Sequence, residues 1–189
     1  MIIALTGIKH CGKSTIGGII ASETGGSFCD VDSLIEDESG KTAAALYREN
    51  GAEAFKQSER AACARIAQKL AAEPPQGWFI IAAGGGIADN PEALSELKRI
   101  AVAVFIDIPF DAAWRRIENG ALANGRYPAF LDPADPKEDF RKLYKRRTAI
   151  YRGAADMRIP FPADSDGDIS RRIALKIIKE TSRADKIFR

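Results

Sequence analysis

Gly7-Ile8-Lys9-His10-Cys11-Gly12-Lys13-Ser14-Thr15 is a complete G-x-x-x-x-G-K-[ST] loop, and its setting decides the fold. The branched, apolar run Met1 to Leu5 before it predicts a buried strand. Thr15 to Ala21 after it sets apolar and small residues at helical spacing. Strand, glycine loop and helix in that order separate a phosphate-binding loop from a plain turn with a solvated lysine. Gly7 and Gly12 let the backbone curl round a polyphosphate, with successive N–H groups and the helix N-terminus pointing at it. Lys13 is expected to bridge the outer phosphates, and the Ser14 hydroxyl to ligate Mg²⁺. His10, Cys11 and Thr15 belong to the same nucleotide-gripping stretch; nothing in the sequence supplies a base for Cys11, and no chemistry is assigned to it.

The 189 residues predict one domain, over about 1–180, with a core that needs neither metal nor disulfide staples, and a frayed tail at 181–189. Lysine and arginine number 28 against 26 acids, a formal charge of +2, which argues against bulk nucleic-acid binding and leaves room for a local basic pocket. Cys11, Cys29 and Cys63 are an odd set without a C-x-x-C pair, read as reduced thiols of a cytoplasmic chain. The first residues lack the charged opening of a signal peptide, and no apolar run reaches membrane-spanning length, so no membrane partner is expected. A monomer is expected.

Gly25-Gly26 reads as the stop of the first helix. Ser27 to Asp32 then reads as a second strand ending in two carboxylates, Asp30 and Asp32, which share a side if the strand continues and diverge if it turns. Beside a phosphate loop, one can hold a Mg²⁺ shell and the other orient a hydroxyl or accept its proton; the bland alternative is Asp32 capping a helix from Ser33. Residues 33–72 are helical in pattern with breaks near Gly40 and Gly51, too long for one crossover helix, and suggest a substrate-holding excursion. Within it Lys56 and Glu59 share a face, either as site residues or as a solvated surface couple.

Trp78 to Ala83 is the strongest buried-strand signal, ending in Gly84-Gly85-Gly86, bare backbone at the edge where open α/β sheets bind ligands. A helix from Pro91 to Leu97, a strand from Ala101 to Ile106 and a helix from Phe110 to Ile117 follow. Residues 118–137 carry three prolines and little periodicity; this long connection reads as a lid with Arg126 at its middle, able to close on phosphates and exclude water. A basic helix from Glu138 to Arg152 puts Arg147 and Tyr151 on one face. Met157 to Ile159 suggests an edge strand, Asp164 to Asp168 a turn and cap, and Ile169 to Ile178 a closing helix.

In this order the residues resemble the shikimate kinases over Met1 to about Ile178. The carrying motifs are Gly7–Thr15, Asp30-Val-Asp32, Gly51-Ala-Glu-Ala-Phe55-Lys56-Gln-Ser-Glu59, Gly84-Gly85-Gly86, Arg126-Tyr-Pro128 and Arg147-Thr-Ala-Ile-Tyr151. The resemblance implies a three-layer α/β P-loop kinase fold on a five-stranded parallel sheet of order 2-3-1-4-5. It implies Mg·ATP-dependent phosphoryl transfer to the 3-hydroxyl of shikimate. By the same resemblance Asp30 helps hold Mg²⁺, Asp32 orients the attacking oxygen, and Arg147 pairs with the shikimate carboxylate. The Gly84–Gly86 backbone lines the ring, Arg126 nears the transferred phosphate, and Arg115 lies against adenine.

Two departures bear on the acceptor. Lys56 stands where the family has an arginine, keeping the charge and losing the planar fork, and Tyr127 separates Arg126 from Pro128. The alternatives are a kinase of another small hydroxylated carboxylic acid, a nucleoside or nucleotide kinase, and a non-catalytic nucleotide-binding protein.

Overall fold

Among the described residues, five short runs of branched and aromatic residues pair into one parallel sheet of order β2-β3-β1-β4-β5. The strands are β1 (Ile2–Thr6), β2 (Ser27–Asp30), β3 (Phe79–Ala82), β4 (Val102–Asp107) and β5 (Met157–Pro160). The central strand β1 sits in register with β3 (Ala4 opposite Ile81) and β4 (Ala4 opposite Ala103). Its buried run Ile3–Thr6 has no alternation, as expected of a strand covered on both faces. The structure, a computed structural model, describes residues 1–162 and 168–187.

Among the described residues seven α-helices connect and cover the strands: α1 (Lys13–Thr24), α2 (Val31–Ser39), α3 (Ala43–Ala72), α4 (Pro91–Ile100), α5 (Phe110–Asn124), α6 (Pro136–Ala154) and α7 (Ile169–Ile187). Helix α1 packs on α7 and β3, while α3 packs on α4, and α4 and α6 reach β4. Two groups of helices thus sandwich the sheet, giving the three layers expected. Among the described residues no helix is long and apolar enough to cross a membrane.

The boundaries differ from expectation for local reasons. Helix α1 starts at Lys13 because Gly12, at φ 98°, turns the chain directly out of the loop. Strand β2 stops at Asp30, whose carboxylate accepts from the backbone N–H groups of Asp32 and Ser33; the cap of α2 is Asp30, not Asp32. The expected breaks appear as the left-handed terminus of α2 at Gly40 and a kink inside α3 at Gly51 (φ 81°, ψ 174°), a conformation only glycine adopts readily. Helix α5 continues past Ile117 to Asn124, so the irregular lid is shorter than 118–137 and covers 125–135. Asp135 caps α6 and Pro136 opens it. The turn expected at residues 164–167 lies outside the described residues; Asp168 does cap α7, accepting from the Arg171 N–H at 3.1 Å. Helix α7 runs on through Ile187 rather than closing at Ile178, with Thr181 buried against its own preceding turn.

Candidate active site

The phosphate loop, the ends of β2 and β3, and the first turns of α1 and α2 meet at the carboxyl edge of the sheet, where parallel strands leave a crevice. Lys13 is buried beneath the loop, its ammonium donating to the carbonyls of Gly7 (3.0 Å) and Ile8 (3.2 Å). Cys11 is fully buried, and a Cβ on Gly7 would lie 2.8 Å from its Sγ, so the thiol fills space that glycine leaves open. His10 takes a left-handed conformation (φ 65°) at the turn of the loop.

Over the loop opens a cavity of about 430 Å³, whose walls include His10, Gly12, Ser14, Thr15, Asp30 and Arg116. Arg116 donates to the His10 carbonyl at 2.8 Å, and its guanidinium stacks over the Phe161 ring at 4.9 Å. Arg115, the residue expected against adenine, is exposed and lines neither cavity. One helical step turns a side chain by about 100°, which brings Arg116 and not Arg115 to the loop.

Ser14 Oγ donates to Asp30 Oδ2 at 2.5 Å, while Asp30 Oδ1 accepts from Asp32 N at 2.9 Å. One carboxylate therefore caps α2 and also presents an oxygen beside the serine hydroxyl at the phosphate cavity. Two adjoining hard oxygens, open to a polyphosphate, suit Mg²⁺, which takes few protein ligands and completes its shell with phosphate and water. Because the chain turns into α2 at once, Asp32 diverges from Asp30 and lines both this cavity and a second one.

The second cavity, of about 740 Å³, lies between α3, the glycine segment, α6 and the lid, and brings together Asp32, Lys56, Glu59, Gly85, Gly86 and Arg147. Lys9, Asp32 and Gly85 line both cavities, so the two are joined at these residues. Gly84 stands behind them. A Cβ there would lie 2.4 Å from Glu59 Oε1 and 2.8 Å from Asp32 Oδ1, and on Gly85 2.9 Å from the Lys9 backbone. The glycines are required by this close approach.

Glu59 is no surface residue: it is 1% exposed, and its Oε2 accepts from Asn90 Nδ2 at 2.9 Å. Its Oε1 is buried without a hydrogen-bond partner among the described residues. Burial pushes the Glu59 carboxyl up to about 7, against the opposing Asn90 hydrogen bond and with the Asp32 charge adding to the rise. Burial likewise raises Asp32 above the usual carboxylate range, with Lys13 pulling it back. Among the described residues Lys56 pairs only with exposed Glu53, at 3.6 Å, and not with Glu59. Arg147 is held on α6 by contacts that pin that helix to the sheet: Tyr144 donates to the Ile108 carbonyl, and Arg152 reaches buried Asp107. Arg147 and Tyr151 share a face as expected, both donating to the Gly85 carbonyl, at 3.0 and 3.1 Å.

The lid lays Pro128, Ala129 and Phe130 over the second cavity, and Tyr127 stacks on Trp114 of α5 at 5.8 Å. Arg126 is exposed, lines neither cavity, and makes no ion pair among the described residues. Sequence reasoning missed Lys9, Asp89, Asn90, Arg116 and Phe130. Asn90 alone carried a signal, since Asn before Pro marks a helix start; here it caps α4 and, through Lys56 O and Glu59, staples α3 to it.

The sequence model of the family described as shikimate kinase matches residues 9–182. A shikimate kinase of Corynebacterium glutamicum is 34% identical over 158 residues, covering 84% of this chain and 85% of that protein. One from Synechococcus sp. (strain RCC307) is 30% identical over 171 residues, covering 89% and 80%. The structure of the Acinetobacter baumannii shikimate kinase in complex with shikimate superposes with a TM-score of 0.80 at 23% identity, covering 97% of this chain and 93% of that one, a likeness of fold. A match over nearly the whole length, with the phosphate loop and the second cavity built from the residues that carried the resemblance, means that this chain belongs to the shikimate kinase family.

Proposed function

We propose that this protein transfers the γ-phosphoryl of ATP to the 3-hydroxyl of shikimate, releasing ADP and shikimate 3-phosphate. The observation that carries the reading is the junction of the two cavities at Asp32: one is built for polyphosphate, the other for a small polyol acid, and the carboxylate stands between them. ATP would lie with its phosphates on the Gly7–Thr15 backbone and its outer charge on Lys13, and Arg116 with Phe161 offers a flat cationic face to the base. Ser14 and Asp30 would hold Mg²⁺, which would supply neutralisation of the phosphate charge.

The acceptor hydroxyl, seated against Asp32, is oriented in line with the γ-phosphorus. As the new O–P bond forms and the bond to the ADP oxygen breaks, Asp32 takes the hydroxyl proton. Its raised proton affinity suits that task. Positioning and charge neutralisation carry most of the catalysis, so no strongly basic group is needed. A second acceptor hydroxyl satisfies the unpaired Glu59 Oε1. The Gly85–Gly86 backbone lines the ring, the acid group meets a cationic wall in which Lys9 and Lys56 stand beside Arg147, and Arg126 reaches the transferred phosphoryl when the lid closes. We take residues 1–180 as one kinase unit acting in the cytoplasm, where ATP is made and its thiols stay reduced.

Lys56 favours one second reading, a kinase of another small hydroxylated carboxylic acid, because a point charge selects a carboxylate less strictly than an arginine fork does. ADP release measured with shikimate, gluconate and related acids in parallel separates the two. The highest kcat/KM with shikimate supports the first, and a clear preference for another acid the second.

A further inference from the structure

Asp89, at the end of the short 3₁₀ turn Ile87–Asp89 after the glycines, puts a carboxylate into the wall of the second cavity beside the arginine expected to hold the acceptor's acid group. Its Oδ2 accepts from Arg147 Nε at 3.0 Å and Nη2 at 2.8 Å, and from Arg146 Nη2 at 2.8 Å. Arg147 Nη1 is engaged as well, by the Gly85 carbonyl at 3.0 Å. Of the two edges by which a guanidinium can bind a carboxylate through parallel N–H groups, the Nε/Nη2 edge is already filled by the protein's own acid, and the Gly85 carbonyl draws on the Nη1 group of the other. The Arg147 side chain is only 10% exposed, so its fork has little freedom to turn elsewhere.

We propose that Asp89 is a specificity-determining residue, which occupies the Arg147 fork and leaves the acceptor carboxylate to Lys9 and Lys56. This rests on the acceptor reading given above. Both lysines line the cavity; among the described residues Lys9 makes no ion pair, its ammonium lying 5.8 Å from the centre of the Phe130 ring, and Lys56 has only its long contact to exposed Glu53. Two ammonium groups bind a carboxylate by charge without imposing a plane on it. The site therefore accepts its acid group in more than one orientation, and it binds more weakly than an open arginine fork would. Asp89 itself touches no substrate and acts through Arg147.

Asp89→Asn tests this, because the amide oxygen still accepts a hydrogen bond from the buried arginine while the competing charge is gone. The expected result is a KM for shikimate lowered about fivefold or more, with no matching change in the KM for ATP; Asp89→Glu, which keeps the charge, shows no such fall. An unchanged or raised KM for shikimate in a folded Asp89→Asn protein overturns the proposal. If that variant fails to fold, single substitutions in the wild type decide: Lys9→Met and Lys56→Met each raise the acceptor KM about tenfold, and Arg147→Lys raises it less than either. The reverse ranking overturns the proposal. Wild-type protein that turns over another acid but not shikimate overturns the acceptor reading itself, and is recognised before any variant is made.

Discussion

Ser14 and Asp30 share a hydrogen bond of 2.5 Å that ties the first turn of α1 to the first turn of α2, with the Asp30 carboxylate serving as cap on one oxygen and as partner of the serine on the other. The two duties are separable. Asp30→Asn keeps a capping oxygen and loses the charge, so its melting temperature stays near that of the wild type while turnover falls about a hundredfold and the Mg²⁺ requirement rises. Asp30→Ala loses both, and costs about 1 kcal/mol of stability as well. Magnesium titrations of ADP release, paired with thermal melts, check both. Equal melting losses in the two variants would contradict the division of roles.

Glu59 makes stability depend on pH. Its folded-state value of about 7 lies above its ordinary 4.5, so between these values the folded chain binds more proton than the unfolded chain. Stability contributed by the neutral form is complete below about pH 4.5 and is lost as pH rises to about 7, by an amount of order 3 kcal/mol. Denaturant titrations at pH 5.5 and 8 should show about 2 kcal/mol of that loss in the wild type and a much smaller one in Glu59→Gln. Parallel profiles for the two proteins would refute the assignment.

Restoring an arginine at Lys56 should lower the KM for shikimate about threefold to tenfold, since a planar fork recovers the second hydrogen bond that an ammonium cannot aim. Steady-state kinetics with ATP saturating make the comparison. A higher KM in Lys56→Arg would point to an acceptor for which the lysine is the fitted residue.

Tyr127, the residue inserted into the lid motif, lies nearly flat on Trp114, with an interplanar angle of 12°. Tyr127→Ala should cost about 0.5–1.5 kcal/mol and shift the emission of Trp114 to the red as water reaches the ring. Trp78 is the other tryptophan, so Trp78→Phe isolates the signal. An unshifted spectrum would mean that the stack does not hold the lid in solution.

The phosphate loop, the strand order and the breaks at Gly40 and Gly51 were legible because each is local: motif spacing, branched runs and glycines act within a few residues. Asp30, Asp32, Glu59, Gly85 and Arg147 were legible as an ordered set and do converge. What was hidden depends on rotation and on contacts across the fold. Arg115 against Arg116 is one helical step, invisible without the packing of α5, and residues 118–124 keep helical backbone despite Gly120, with Ala121 buried one turn beyond Ile117 on the face that Trp114 begins. The surface couple Lys56–Glu59 dissolves because Asn90, 31 residues beyond Glu59, takes that carboxylate. Asp89 had no signature at all, and its weight comes only from the fork it fills.

The decisive measurement is shikimate-dependent ADP formation by the wild type and by Asp32→Asn, with nucleotide binding measured on both. The wild type is expected to form shikimate 3-phosphate in step with ADP. Asp32→Asn is expected to lose turnover about 10²–10⁴-fold, with ATP affinity preserved. Asp32→Asn turning over shikimate at the wild-type rate would contradict the role given to Asp32.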